Sequence, residues 1–512
     1  MTSVTLTPVG ADGADHDTDD HGTDERTPAS VAHPARWVRW SVLAALVVVA
    51  ALVRWHFIDM ETMDYRAFLS RWYETLDTQR FSAFKERFAD YNYPYLYLIW
   101  LLTVVKAPSL IGIKALSMIF DLVLAFFAYR IVALRTPRFW LRALAFGVIL
   151  LLPSVIANSA YWGQADAIYS AFALGGVYFL LRAQREGITH RSYVMNSIWA
   201  CAFFGLSLSF KLQAVFVLPV LLWLLLRRRL PWYTLLAIPA VFLALDVPAI
   251  IAGAPWREAL SVYLDQTDSY KQLTLGAANL YQLIPISGDA TWLAHLGIGM
   301  AAAVIVVFLA WSLWKKPPVT PASILVVATA SAVIVPFLLP AMHDRYFYTA
   351  EILSVVMAFY LPLRFVIIPV LVQAAAIGVY HSSLSGDQGQ GFGGGGGRGF
   401  GGGQQSGGTG GTGGAPNMPG GNGSGATPPA GGPGGGAAPG GAPAGAGQSH
   451  GGQGGQGGAM GGGRGGSGGY TSGRGDTELG VCATMMGLAA LGLVYAVIDT
   501  FRRAWPASTP NA

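Results

Sequence analysis

Charge is scarce in this chain of 512 residues: Asp, Glu, Lys and Arg make up 12% of it, against 53% hydrophobic residues. With a positive mean hydropathy, that composition excludes an ordinary soluble domain and implies a membrane protein with many spans. Cysteine is scarcer still. Cys201 and Cys482 both fall in apolar segments, so no disulfide framework is implied and neither has the His/Cys spacing of a metal site. The 33 basic and 28 acidic residues leave a formal charge of +5. The clustered Arg and Lys lie mostly in short links between apolar runs, where they orient helices, so no nucleic-acid footprint is expected. Walker-type phosphate loops, Gly-x-Ser-x-Gly elbows, His pairs at zinc spacing and a nucleotide-sugar domain are all missing. Any sugar or phosphate donor must therefore be met within the membrane-facing architecture.

What is present is a series of apolar runs near 38–55, 94–106, 111–130, 142–159, 165–182, 194–210, 212–226, 232–252, 291–314, 321–340, 348–362, 365–381 and 479–500. The first starts near Val38 between Arg36 and Arg39 and is followed by RWHFID, which reads as an uncleaved span. The run PYLYLIWLLTVVK (94–106) has thirteen residues, where spanning needs about twenty. Taking it as a half-embedded helix on the outer surface places Arg130 to Arg142, Arg182 to Arg191, Arg227 to Arg229, Lys315 with Lys316, Arg364, and Arg502 with Arg503 all in the cytoplasm. The expectation is an all-α, multi-pass plasma-membrane protein with about twelve transmembrane helices plus the half-embedded helix, both termini inside.

Residues 1–35 are acidic and polar, with HDTDDHGTDERTP at their centre, and read as a disordered cytoplasmic tail. His16 and His21 there read as part of a solvated tail rather than a metal site. A membrane core over 36–384 follows. Residues 385–475 are almost wholly Gly with Pro, Ala, Ser and Gln, and read as a flexible extracytoplasmic loop without chemistry. A last span over 476–504 and a short cytoplasmic tail over 505–512 close the chain.

This topology gathers the chemistry-bearing groups on the outer face. In IDMETMDYRAFLSRWYETL, Asp59 and Glu61 read as solvated loop acids, whereas Phe68 and Trp72 follow Asp64 at helical spacing and share its side. Asp64 suits a helix cap and a general base equally well. In YWGQADAIY, Asp166 opens a span, where the helix dipole favours an acid. Trp162 and Gln164 beside it suit the face and hydroxyls of a sugar as well as an aromatic belt. Lys211 lies between two apolar runs, able to snorkel or to neutralise a phosphate. Tyr91, Asn92, Tyr93 and Pro94 lead into the half-embedded helix as an interfacial anchor or an acceptor groove. Asp121 lies mid-span and needs a partner or a polar cavity. Densest of all is MHDRYFYTAEIL, where His343, Asp344, Arg345, Tyr346 and Tyr348 meet at a junction of two apolar runs. Ionisable groups at such a rim are functional-site candidates by default.

In order, DYRAFLSRW, FADYNYPYLYLIW, YWGQADAIY, FKLQAVFVLP and HDRYFYTAEIL resemble the GT-C superfamily of polytopic glycosyltransferases, with the bacterial branch related to the PIG-V type of GPI mannosyltransferase as the nearest likeness. The chain shows Tyr91-Asn92-Tyr93-Pro94 where that family usually shows Tyr-Pro-Pro. The resemblance implies a GT-C-like fold and a polyprenyl-phosphate sugar as donor. It makes Asp64 the catalytic base, Asp166 the second outer acid, and His343, Asp344, Arg345 and Tyr346 the frame of the active site. On this reading the protein is an inverting glycosyltransferase, with mannose the expected sugar and a glycan, lipid or protein as acceptor. Arg345, with Lys211 and His343, faces the leaving phosphate. Asp166 either orients the acceptor or holds a divalent cation. A transporter or flippase of lipid-linked sugars is the rival reading, but no repeated halves are visible. A non-catalytic scaffold would leave WGQAD and HDRYFY unexplained.

Overall fold

A computed structural model describes residues 34–268, 270–385 and 469–504. The acidic tail with His16 and His21, residues 386–468 of the Gly-rich stretch, and residues 505–512 lie outside the described residues.

Apolar runs leave their backbone polar groups no partner but one another, so in a membrane they close into helices. Among the described residues, eight helices are long and apolar enough to cross a membrane: Arg36–Trp55, Ser109–Arg135, His190–Phe210, Trp232–Ala252, Thr291–Lys315, Pro321–Leu338, Leu363–Ser385 and Thr477–Ala504. A ninth is made by Phe139–Leu151 with Pro153–Trp162 if the two, bent by 46°, form one span. The bend follows from Pro153, which has no N–H for the preceding turn and crowds it sterically. The chain is a multi-pass membrane bundle.

The expected count of about twelve spans is not reached by helices of membrane length, for identifiable reasons. Asp166–Ala183 carries Asp166 and Arg182 at its ends and is buried almost throughout by its neighbours. The 212–226 run is divided, with a 3₁₀ turn over Leu212–Val217 before Pro219 opens an α-helix. Tyr348–Ala358 has eleven residues, about 17 Å at 1.5 Å per residue against a hydrocarbon core of about 30 Å. Tyr93–Val104 has twelve, and its length of about 18 Å is likewise too short to cross.

The first helix shows how the bundle is fastened. Trp37, Trp40, Leu52 and Trp55 are exposed, as suits a lipid-facing surface, and only Ala50 and Arg54 are buried. Arg54 donates to Asp121 Oδ2 from Nε (3.1 Å) and from a terminal nitrogen (2.8 Å), and Ser159 Oγ donates to the same oxygen at 2.6 Å. This is the partner that Asp121 requires, and it ties three segments together at the bundle interior.

At one end of the bundle an aromatic-rich cluster that includes Tyr65, Trp72, Phe84, Tyr93 and Tyr95 packs the Ser70–Gln79 helix against Tyr93–Val104. A two-residue parallel pairing, Thr274–Leu275 with Met342–His343, pins the HDRY turn beside the preceding loop. Ala341 enters that strand with φ +58°, a left-handed conformation that costs a non-glycine residue energy. Thr471, within the stretch read as a tether, bonds to both sides of the same loop: Leu273 N donates to Thr471 O, and Thr471 N to Lys271 O, each at 2.8 Å.

Breaking a buried ion pair from one side leaves the other charge uncompensated. Asp121→Leu alone should therefore cost roughly 3–5 kcal/mol in a denaturant titration of the detergent-solubilised protein, and adding Arg54→Met should recover most of the loss. Equal losses in the single and double variants would show that the two residues contribute by packing rather than by charge.

Candidate active site

The chain leaves the first helix along a path fixed by Lys114, a lysine only 1% exposed inside the Ser109–Arg135 helix. Its ammonium donates to the carbonyls of Phe57 (2.7 Å), Ile58 (3.2 Å) and Met60 (2.5 Å). The end of a helix leaves carbonyls without intrahelical donors, and a buried ammonium needs acceptors. Each supplies the other here. Thr62 then donates to Trp162 O at 3.3 Å, and Asp64 follows directly before a π-helical turn, Tyr65–Leu69. Asp64 makes no side-chain cap bond. Of the two roles open to it from spacing, the cap is therefore not the one it adopts.

Its Oδ2 accepts three hydrogen bonds, from Trp162 Nε1 (2.9 Å), Gln164 Nε2 (2.7 Å) and an Arg345 terminal nitrogen (2.6 Å). Among the described residues no hydrogen bond reaches Oδ1. Burial pushes the Asp64 carboxyl up, but the Arg345 charge and the bonds from Arg345, Trp162 and Gln164 outweigh it and hold the group below its ordinary value.

The Trp-Gly-Gln segment reaches Asp64 because of its backbone. A second π-helical turn, Ala157–Trp162, ends at Gly163 with φ +76°, the left-handed region that suits glycine. The chain reverses there, aiming Trp162 and Gln164 at Asp64 while Ser117 Oγ holds the Gln164 carbonyl at 2.7 Å. Asp166 then opens its helix beneath them. Its Oδ2 accepts from Asn158 Nδ2 at 2.9 Å, and its Oδ1 pairs with Lys211 Nζ. The Lys211 ammonium lies 5.5 Å from the centre of the Tyr91 ring and 5.8 Å from that of Tyr169.

Arg345 closes the group. Its guanidinium lies 4.7 Å from the centre of the Trp162 ring, and its Nε is 3.8 Å from Asp166 Oδ2 and 3.8 Å from Asp344 Oδ1. That Nε has no hydrogen-bond partner. The surrounding carboxylates more than offset its burial and raise its affinity for its proton. Burial raises the Asp344 carboxyl, helped by Asp64 and opposed by Arg345. Burial, with the charges of Arg345 and Lys211, brings the His343 imidazole down to about 3, so the ring is neutral at physiological pH.

Asp64, Phe68, Trp72, Trp162, Gln164, His343, Asp344 and Arg345 line one cavity of about 130 Å³, together with Leu69, Asp90, Tyr91 and Tyr270. The structure thus brings together most of the residues picked from sequence, including the Asp64–Phe68–Trp72 face. Asp166 and Lys211 are not among the lining residues; they meet the cavity through Arg345. Tyr346 packs behind the His343 ring at 5.2 Å and faces Phe216 at 6.4 Å. Tyr270 was not legible as a site residue: it is one aromatic in a long polar loop, and only the fold sets it edge-on to His343 at 4.6 Å. Lys114, Ser117 and Asn158 were missed because their partners are backbone or distant in sequence.

No group of three or more His, Cys, Asp or Glu among the described residues is placed to hold a metal ion. Both oxygens of Asp166 are taken up by Lys211 and Asn158. The donor set does not fit a divalent cation as it stands.

No family model matches this sequence, and no curated protein matches it. Among solved structures the chain is similar to the crystal structure of ArnT from Cupriavidus metallidurans bound to undecaprenyl phosphate, with a TM-score of 0.43 and 14% identity over 67% of this chain and 70% of that one. The apo state of ArnT gives a TM-score of 0.39 at 16% identity, covering 68% of this chain and 65% of that one.

A histidine held neutral in the fold and protonated more readily when unfolded costs stability on acidification. The sign follows from proton binding: between pH 6.5 and about 3 the unfolded state takes up the His343 proton and the native state does not. The stability of the parent relative to His343→Gln should accordingly fall as the pH drops through that window. Unfolding titrations at several pH values test this, and a flat difference would mean that the ring protonates in the fold as readily as in water.

Proposed function

We propose that this chain is an inverting glycosyltransferase of the GT-C kind. It would move a sugar, mannose by the PIG-V-like resemblance, from a polyprenyl phosphate to an acceptor hydroxyl on the outer face of the plasma membrane. The observation that carries this reading is the asymmetry of Asp64, a residue of the cavity lining, which is bound by three donors on Oδ2 while Oδ1 takes no hydrogen bond among the described residues. A carboxylate so oriented suits general-base catalysis.

In the proposed step, Asp64 Oδ1 takes the proton of the acceptor hydroxyl while that oxygen attacks the anomeric carbon. The bond from that carbon to the phosphate oxygen breaks, and polyprenyl phosphate departs with the bonding electrons. The leaving phosphate is a weak base, so no general acid is needed. Arg345 offers a fork of donors, with its Nε unpartnered, to the charge that develops on the phosphate. Neutral His343 contributes hydrogen bonding rather than charge. Lys211, paired with Asp166, acts by fixing that carboxylate, and through it the guanidinium of Arg345. Trp162 offers the arginine a flat aromatic platform.

Transfer from a synthetic polyprenyl-phosphate sugar tests the base. Asp64→Asn should lower turnover by roughly 10²-fold or more while the folded variant still binds donor. Asp59→Asn, at an exposed position, should be mild. Near-parent transfer by Asp64→Asn together with loss in Asp166→Asn would move the base to the second acid.

The phosphate role of Arg345 is tested separately. Arg345→Lys keeps a charge but loses the planar fork, and should weaken donor binding by about tenfold or more. Unchanged donor affinity and turnover in both Arg345→Lys and Arg345→Met would assign Arg345 a purely structural part.

A further inference from the structure

A second cavity, larger than the one at the proposed active site, lies far along the same helices. It measures about 380 Å³ and is lined by Tyr129, Arg130, Ala133, Leu134, Arg142, Tyr178, Arg182 and Arg185. Ser117 and Asp166, at the candidate active site, precede Arg130 and Arg182 by thirteen and sixteen residues along their helices. At 1.5 Å per residue these spacings put the second cavity roughly 20–24 Å away along the bundle, most of the way across a hydrocarbon core of about 30 Å. The cavity therefore lies toward the other end of these helices, within reach of lipid head groups.

Four arginines line it, and among the described residues none of the four forms an ion pair. Arg130 donates to the Tyr178 hydroxyl at 2.7 Å, and its guanidinium lies 5.5 Å from the centre of the same ring. Arg182 lies 5.7 Å from that ring's centre as well. Arg142 is steered by a bond from Nε to Thr136 O at 2.8 Å, which leaves its terminal nitrogens to other partners. Orientation of the bundle by basic links asks only that arginines be present. It does not ask four of them to line one concavity, with two of them against a shared tyrosine. Arg135, in the same link, is occupied elsewhere, with its guanidinium donating to the Phe359 carbonyl and lying 5.5 Å from the Tyr360 ring centre.

Like charges held together without a carboxylate repel unless an anion joins them, and arginine forks match phosphate oxygens in pairs. We infer that this cavity is a phosphate-recognition site, separate from the proposed catalytic centre, that takes the phosphate head group of a membrane lipid or soluble phosphate. Basic pockets between membrane helices bind anionic head groups in this way.

The test uses the purified full-length chain in a non-ionic detergent, titrated with dihexanoyl phosphatidic acid, dihexanoyl phosphatidylcholine or inorganic phosphate. Binding is read by native mass spectrometry and by the shift in melting temperature. Phosphatidic acid should bind, and phosphatidylcholine should not compete with it. The combined variant Arg130→Gln with Arg182→Gln should weaken binding by at least about tenfold, the worth of one or two charged hydrogen bonds. Arg185→Gln, at an exposed position where folding is not at risk, should weaken it measurably. Tighter binding of the lipid than of inorganic phosphate assigns the bilayer as the source, and the reverse order assigns soluble phosphate. Binding of neither, or equal binding by the parent and both variants, overturns the proposal.

Discussion

Arg345 reaches Asp64 across 281 residues of sequence, and the candidate site exists as a unit because of that contact. The pair alone would gain little. Taking two charges out of water costs about as much as their attraction returns, unless further hydrogen bonds satisfy the remaining polar atoms. Trp162 and Gln164 supply those bonds to Asp64 Oδ2, and Asp166 and Asp344 flank the guanidinium at 3.8 Å. Three segments distant in sequence must therefore be in place together: the loop after the first helix, the turn around Gly163, and the strand that carries His343. Losing any of them leaves buried polar atoms unmatched in the other two.

The same logic runs down into the bundle. Lys211 neutralises Asp166, Asn158 holds the other oxygen of that carboxylate, and Ser159, next in sequence on the same π-helical turn, donates to Asp121, which in turn pairs with Arg54. Polar groups on neighbouring elements thus form a ladder from mid-bundle to the cavity. Lys114 stands apart from it, since it meets backbone carbonyls rather than a carboxylate. It anchors the loop carrying Asp64 without adding a negative charge to a site that already holds four carboxylates, Asp64, Asp90, Asp166 and Asp344. Both π-helical turns, Tyr65–Leu69 and Ala157–Trp162, lie beside residues of the site. A π turn accommodates one more residue than an α turn and re-aims the side chains that follow.

Much of this was legible in the chain itself, in an uneven way. Helices were legible because hydropathy is a local property, and every apolar run from 38–55 to 479–500 coincides with helical structure. The number of membrane-length crossings was not, because Pro153, Pro219 and the polar end of Asp166–Ala183 divide or shorten runs that look continuous by composition. The dense HDRY cluster and the WGQAD turn stood out because charged and amide groups are rare in so apolar a chain. What escaped notice is what depends on distant partners. Lys114 lies in an apolar run as if incidental, and its role appears only when the carbonyls of Phe57, Ile58 and Met60 are found around it. The pairing of Thr274–Leu275 with Met342–His343 is two residues long and leaves no periodic trace. Tyr270 acquires its place from that pairing.

The low proton affinity of Asp64 sits uneasily at first with the role of a base, since a carboxylate held by an arginine is a weaker one. Geometry offers a physical resolution within the proposed reaction. Arg345 is shared: one terminal nitrogen is on Asp64, while its Nε lies near two other carboxylates without bonding either. The phosphodiester monoanion of a donor entering the cavity would compete for that fork, and each hydrogen bond it draws from Arg345 would remove part of what keeps Asp64 acidic. Desolvation, the largest influence acting to raise the Asp64 carboxyl, would then act with less opposition. The base would strengthen as the donor arrives, so an acceptor hydroxyl or a stray water would find it weak beforehand. In the proposed reaction a single arginine placed between the nucleophile's base and the leaving group's charge would order the two halves of the displacement, a coupling that a lysine, with its compact charge and no planar fork, is poorly shaped to provide.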